Sequence, residues 1–282
     1  MIEDIKIKLP GRNLAALRTV NGTPHCRILC AHGWLDNANS FLPLLPMIKD
    51  AELVAIDLPG HGYSDHQQSI YTLATETHTL LAIADALGWT DFSLIGHSLG
   101  GCIAPFSAAV APERIRKLIL IEAAGPISEE AQQLPERLKK FHHDMSQRDK
   151  YESRVFNSID QAVASRLRAN KMMPESARLI VERQLQETTV EGQTQWRWRF
   201  DHKLRITSPS YFTEDQVREI LKSISCATLC IIADQGYLVN RHETDARLQC
   251  ISDIKSVTLT GFHHLHLDTP EPVADEINQF LV

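Results

Sequence analysis

The sequence is poor in aromatic residues, at 6% of 282, and it has no long hydrophobic run, no long stretch of Lys or Arg and only six cysteines. Each shortage removes a class of protein. The longest apolar stretch, residues 226–233, has the length of a buried strand, far short of the roughly 18 to 20 residues that span a bilayer. Lys and Arg number 29 against 35 Asp and Glu, for a net charge of -6. Nucleic-acid binding draws most of its affinity from clustered positive charge, so nucleic acid is not an expected partner. Six cysteines are too sparse for a disulfide scaffold. Cys26/Cys30 and Cys226/Cys230 sit inside apolar runs at a spacing unlike zinc-knuckle pairs, so buried free thiols and no metal site are expected. The opening MIEDIKIKLPGR alternates charge with Ile and lacks the apolar centre of a signal peptide, which makes a cytoplasmic location the expectation. Internal repeats and low-complexity segments are absent too.

What is present is an ordinary globular composition, 43% apolar and 23% charged. At about 150 residues per domain, the length fits either two domains or one domain carrying an insertion. Residues 5–9 and 13–20 read as strands flanking a Pro-Gly turn, and 27–31 and 53–57 as short buried strands. Residues 71–87 place Leu73, Leu80, Leu81, Ala84 and Leu87 near one face of a helix that Gly88 can cap. A strand at 92–95, a helix at 102–110, and strands at 117–121, 226–233 and 256–260 follow. Strands alternating with helices imply a mostly parallel sheet, because parallel neighbours need crossovers long enough to hold a helix.

Residues 128–211 break the alternation: they are charged, helix-favouring and poor in β runs. They are expected to form a helical cap inserted after the sixth strand, with residues 1–127 and 212–282 as one core domain. Such an insertion would cover the crevice outside the carboxyl ends of the strands.

The strongest chemical signal is Gly96-His97-Ser98-Leu99-Gly100, between the strand at 92–95 and the following helix. A serine in a sharp strand-to-helix turn has its hydroxyl exposed, and glycines on either side avoid collisions with strand and helix. In this context the motif marks a nucleophile elbow.

Here the chain resembles the α/β-hydrolase superfamily. His32-Gly33-Trp34 is similar to that family's His-Gly-x loop, which implies an oxyanion hole built from the backbone N–H groups of Trp34 and Leu99. Asp57-Leu58-Pro59-Gly60-His61-Gly62-Tyr63-Ser64 resembles the family's Asp-x-x-Gly-x-Gly-x-Ser loop, so Asp57 is structural by this likeness. In the segment Gly261 to Pro270, the family spacing of base, acidic residue and proline selects His263 as the base, with His264 as fallback and His266 directed toward the domain. The acid departs from the pattern. Relatives carry Gly-x-x-Asp-x-x-x-Pro where this chain has Ala233 to Asn240, and Gly236 stands at the usual Asp position. Two candidates remain. Asp234 lies two residues earlier, and Glu122 follows the strand at 117–121, a place from which some haloalkane dehalogenases supply their acid. Glu122 is preferred because the loss at position 236 needs a replacement carboxylate to orient the imidazole.

The resemblance implies hydrolysis of carboxylic esters of small to medium acyl chains through an acyl-serine, with no cofactor. Ser98 is the expected nucleophile and His263 the general base, held by Glu122 or Asp234. The partner is a small-molecule ester, and the state monomer or homodimer. Other activities on the same scaffold are thioesterase, lactonase, C–C hydrolase and perhydrolase; a non-catalytic binding protein is the alternative of another class. Dehalogenation and epoxide opening are disfavoured because they use an Asp nucleophile. His97 is expected in the core, and His142, His143 and His202 at the surface. Trp196, Trp198 and Phe200 either pack the cap or line an acyl pocket. The stretch Trp196 to Leu204, followed by Ser-Pro-x-Tyr-Phe-Thr-Glu-Asp-Gln-Val, is similar to the serine hydrolase-like proteins.

Overall fold

A computed structural model describes all residues except 152 and 240, together with all described side chains but that of residue 149. Strands β1 (Glu3–Leu9), β2 (Arg12–Val20), β3 (Cys26–Ala31) and β4 (Ala51–Ile56) precede helix α1 (Leu73–Ala86). Strand β5 (Phe92–His97) runs into α2 (Leu99–Val110), and β6 (Ile115–Ile121) follows. The middle of the chain holds α3 (Leu134–Gln147), β7 (Val155–Phe156), α4 (Ile159–Ala169), α5 (Pro174–Gln184), β8 (Leu185–Val190) and β9 (Gln193–Trp198). Helix α6 (Glu214–Lys222), β10 (Ala227–Ala233), α7 (Glu243–Leu248), β11 (Ile254–Leu259), α8 (Leu265–Asp268) and α9 (Pro270–Leu281) complete it.

Eight strands form one sheet in the order β1-β2-β4-β3-β5-β6-β10-β11. Only β2 runs antiparallel to its neighbours; from β4 to β11 every pairing is parallel. This is the mostly parallel sheet that the alternating pattern implies. Side chains alternate between its two faces. Leu29, Leu94 and Leu120 face a layer that includes Leu80, Ile83, Ile103 and Val217, from α1, α2 and α6. Ile28, Ile95 and Ile121 face the opposite layer, which holds Val273 and Ile277 from α9 together with Phe41. A central strand covered on both sides needs apolar residues at successive positions, which explains the unbroken runs at β3 and β5.

Parallel alignment has a positional consequence. The carboxyl ends of β3, β5, β6, β10 and β11 lie at one edge of the sheet, so the segments carrying Trp34, Ser98, Glu122, Asp234 and His263 emerge together.

The middle segment is not wholly helical, which corrects the sequence expectation. Strands β7, β9 and β8 form a separate antiparallel sheet, with β8 and β9 joined as a two-residue hairpin in which Val190 pairs with Gln193. Its turn residues Glu191 and Gly192 have φ of 51° and 79°, the double left-handed geometry that suits the twist of a tight hairpin. The Thr188-Thr189-Val190 run and the aromatic Trp196 and Trp198 favour extended backbone and override the helical look of the charged flanks. Phe156, Ala162, Val163, Val181 and Leu185 give this segment an apolar cluster of its own. Polar ties fasten it to the large sheet: buried Arg183 donates from Nε to both Asp57 oxygens at 3.0 and 2.9 Å, and from Nη1 to Asp4 at 2.7 Å. Among the described residues no helix is long and apolar enough to cross a membrane.

Candidate active site

Ser98 sits between β5 and α2 with φ 50° and ψ -110°, a strained conformation for a residue with a side chain. The strain is held by hydrogen bonds on both sides. Its N–H donates to the Ile121 carbonyl at 3.1 Å, its own carbonyl accepts from Cys102 at 2.9 Å, and the Gly100 N–H donates to His32 at 3.0 Å. A Cβ at Gly100 would run into the Ala31 carbonyl, so the helix can approach β3 this closely only with glycine there. The helix therefore begins directly after the serine, three residues earlier than its periodicity suggests. Leu99 is its first residue, and first-turn N–H groups have no acceptor within their helix.

The loop after β3 brings Trp34 to the same edge. Among the described residues its backbone N–H donates to no main-chain carbonyl, while its indole Nε1 donates to the Leu204 carbonyl at 3.0 Å.

Ser98, Glu122 and His263 line one groove of about 150 Å³, together with Tyr237 and Arg241. The Ser98 hydroxyl and the His263 ring make no hydrogen bond to each other here, a contact that commonly tightens only when substrate binds. His263 Nδ1 lies 3.1 Å from Oε2 of Glu122. The carboxylate is itself fixed: Oε1 accepts from the Ala233 N–H at 2.8 Å and Oε2 from the Tyr237 N–H at 2.7 Å. Glu122 is 3% exposed and has φ 51°, so the chain turns sharply as β6 ends and aims the side chain across to β10. Tyr237 packs its ring on the imidazole with centroids 4.2 Å apart. Burial lowers the His263 pKa below the ordinary imidazole value, although the Glu122 hydrogen bond pulls it back upward.

Position 236 explains how the Glu122 carboxylate comes to stand beside His263. A Cβ there would fall on the Glu122 carboxylate, so the glycine at the usual acid position leaves the space that Glu122 fills. Asp234 is exposed and accepts from the Gly261 N–H at 3.0 Å, holding the loop before His263 rather than its ring. Asn240, which aligns with the relatives' proline, lies outside the described residues.

The fallback base His264 is turned away from Glu122: its Nε2 lies 3.2 Å from Asp36 Oδ2. Asp36 is 1% exposed and pairs with Arg166 of α4, whose charge holds the carboxyl well below its usual range against the opposing effect of burial. His266 points inward and shares a 2.8 Å hydrogen bond with Ser40, and burial lowers its pKa to about 3. His97 is fully buried and donates from Nε2 to the His263 carbonyl at 2.9 Å, fixing the loop that carries the imidazole. Asp36, His97 and His264 bring potential metal-ligating atoms within 4.8 Å of one another. Arg166 already neutralises the one carboxylate, and a cation would have to displace it, so the trio fits a hydrogen-bonded network better than a ligand set.

Asp36, Arg166 and the backbone donors of Ala233 and Tyr237 escape the motifs. Ala233 and Tyr237 are signalled only by their position within a matched segment, because backbone N–H groups carry no residue signature, and Arg166 lies in helix α4 outside every motif. Asp57 is buried under Arg183 and accepts from the Ala38 and Tyr63 N–H groups, a structural role. His142 and His143 are exposed, but His202 is half-buried, its ring packed against those of Tyr151 and Phe200. All six cysteines are free thiols, and burial raises Cys230 to about 12.

Comparison with known proteins agrees with this fold. A family model described as alpha/beta hydrolase fold matches residues 27–199, well over half of the chain. A serine hydrolase-like protein of Danio rerio is 28% identical over 274 residues, covering 92% of this chain and 83% of its own length. The crystal structure of a hypothetical protein from Pseudomonas aeruginosa superposes with a TM-score of 0.90 at 32% identity, covering 99% of this chain and 98% of that one. A thioesterase domain from the curacin biosynthetic pathway superposes with a TM-score of 0.82 at 25% identity, covering 98% and 99% of the two chains.

Proposed function

The chain belongs to the α/β-hydrolase family, and on that premise we propose that it is a serine hydrolase cleaving carboxylic esters of small to medium acyl chains through an acyl-serine intermediate. The observation that carries the reading is the 3.1 Å contact between His263 Nδ1 and a Glu122 carboxylate that two backbone donors already hold in place, in the groove that Ser98 lines. A carboxylate on Nδ1 keeps the proton there and leaves Nε2 free to take the Ser98 proton. The alkoxide attacks the ester carbonyl, and the N–H groups of Trp34 and Leu99 stabilise the oxyanion. His263 returns its proton to the departing alcohol. It then deprotonates the water that opens the acyl-enzyme and passes that proton to the Ser98 oxygen as the acyl–oxygen bond breaks, so the carboxylic acid leaves and the serine hydroxyl is restored. The middle segment, residues 128–211, serves as a lid over this edge of the sheet, and Arg183 and Arg166 tie it down.

The thioesterase domain at 25% identity favours a second substrate, since thioesters pass through the same acyl-serine. Labelling with a fluorophosphonate, beside a Ser98→Ala control, tests the reaction class; p-nitrophenyl esters and matched thioesters of increasing chain length test the substrate. Expected are Ser98-dependent labelling and faster turnover of the oxygen esters. No Ser98-dependent label and no turnover of either series would refute the reading.

A further inference from the structure

A second cavity, of about 360 Å³, is lined by the middle segment together with Leu35 and shares no lining residue with the groove at Ser98. It is larger than the groove and falls inside the roughly 300–1,000 Å³ typical of small-molecule sites. Ser98 and His263 do not line it. Leu35, the residue after Trp34, closes its inner end, and Ile180 and Val181 of α5 form an aliphatic wall. The facing wall is aromatic: Trp198 and Phe200 are stacked at 25° with centroids 6.1 Å apart, and Tyr151 adds a third ring.

The polar lining is one-sided. Arg154, Arg166 and Arg205 contribute guanidinium groups, and no carboxylate is found among the described lining residues. Arg166 is committed to Asp36, but among the described residues Arg154 and Arg205 pair with no carboxylate. Both are exposed and lie over aromatic faces, Arg154 over Phe156 and Arg205 over Tyr151 and Phe200. Four lining residues also carry a buried side-chain atom without a hydrogen-bond partner: Ser153 Oγ, Arg166 Nε, Gln184 Nε2 and His202 Nδ1. Gln184 is the clearest case. It is 1% exposed, and its Oε1 already accepts from the Gly62 N–H and the Asn37 amide, so the unused capacity is that of a donor. Buried donors left unpaired carry an uncompensated desolvation cost, which an acceptor brought into the cavity can relieve after small side-chain rotations.

We propose that this cavity binds an organic anion, a carboxylate carried on a flat aromatic body. The rings and aliphatic side chains clasp the body, Arg154 and Arg205 supply the charge, and the spare donors donate hydrogen bonds to its oxygens. Binding at this cavity requires no nucleophile at Ser98.

Calorimetric titration of the full chain with 1-naphthoate and with its neutral isostere 1-naphthamide tests the site, repeated on Ser98→Ala. Saturable naphthoate binding is expected, about tenfold or more tighter than the amide and equal in Ser98→Ala. An Arg154→Gln/Arg205→Gln double variant, altered only at exposed positions, is expected to weaken naphthoate about tenfold while leaving naphthamide affinity and the melting temperature unchanged. Absence of saturable naphthoate binding up to about 10 mM, equal affinity for acid and amide, or undiminished affinity in the double variant would each overturn the proposal. Because binding is read without turnover, a failure of ester hydrolysis leaves this result standing, and the converse holds too.

Discussion

Replacing Glu122 by Gln changes one oxygen to an amino group at constant shape, in a site where both oxygens accept hydrogen bonds. Oε1 receives the Ala233 N–H, and Oε2 receives the Tyr237 N–H and the His263 Nδ1 proton. The amide offers a single acceptor atom, so one side must face donor to donor. With the amino group toward Tyr237 and His263, Nδ1 becomes the acceptor and the imidazole proton moves to Nε2, where a lone pair is needed for Ser98. With the amino group toward Ala233, the tautomer survives, but a buried backbone N–H loses its partner and the imidazolium loses its counter-charge. The orphaned donor costs about 1–3 kcal/mol of stability. For the reaction, the carboxylate-to-amide change in a triad lowers kcat by about 10⁴, equivalent to about 5.4 kcal/mol at ~1.36 kcal/mol per decade. The assay is kcat on a p-nitrophenyl ester that the native protein turns over, with the melting temperature checked in parallel. Asp234→Asn serves as the contrast, since Asp234 accepts from the Gly261 N–H and the Gln235 side chain rather than from the imidazole, and the change should cost about tenfold at most. A folded Glu122→Gln protein within about tenfold of native kcat, or one less impaired than Asp234→Asn, would refute the assignment.

The pH dependence and the Arg183–Asp57 ion pair offer further tests. His263 must be neutral to act as base, and burial lowers its pKa, so kcat/KM should rise through an inflection below the ordinary imidazole value and be level above pH ~7. An inflection above neutrality would contradict that environment. Arg183→Met leaves Asp57 buried with its ion pair broken, and should lower stability in urea unfolding by about 3–5 kcal/mol. A loss below about 1 kcal/mol would mean that the pair fastens nothing.

Several parts of the site were legible because they obey local rules. The Gly-x-Ser-x-Gly turn works through the sterics of five neighbouring residues, so strand, turn and helix can all be read from one short window. The hairpin at 190–193 was equally local, and its Glu191-Gly192 turn was present to be read, but the surrounding charge suggested helix. The acid was only half legible. A glycine at 236 indicates that something is missing there and favours Glu122, yet Asp234 stays open in the sequence because the two follow different strands. Asp36 illustrates the limit, since its partners Arg166 and His264 lie 130 and 228 residues away.

The sequence by itself determined the fold class, the elbow serine and the histidine-bearing segment, because period, glycine placement and short-range spacing act within a few residues. Tertiary structure decided which carboxylate meets His263, through the space at Gly236 and the two backbone donors on β10 and its following loop. It also decided that Arg154 and Arg205 line one cavity with Trp198 and Phe200. Both outcomes depend on strand order and on packing across the sheet edge, quantities that no local window of residues contains.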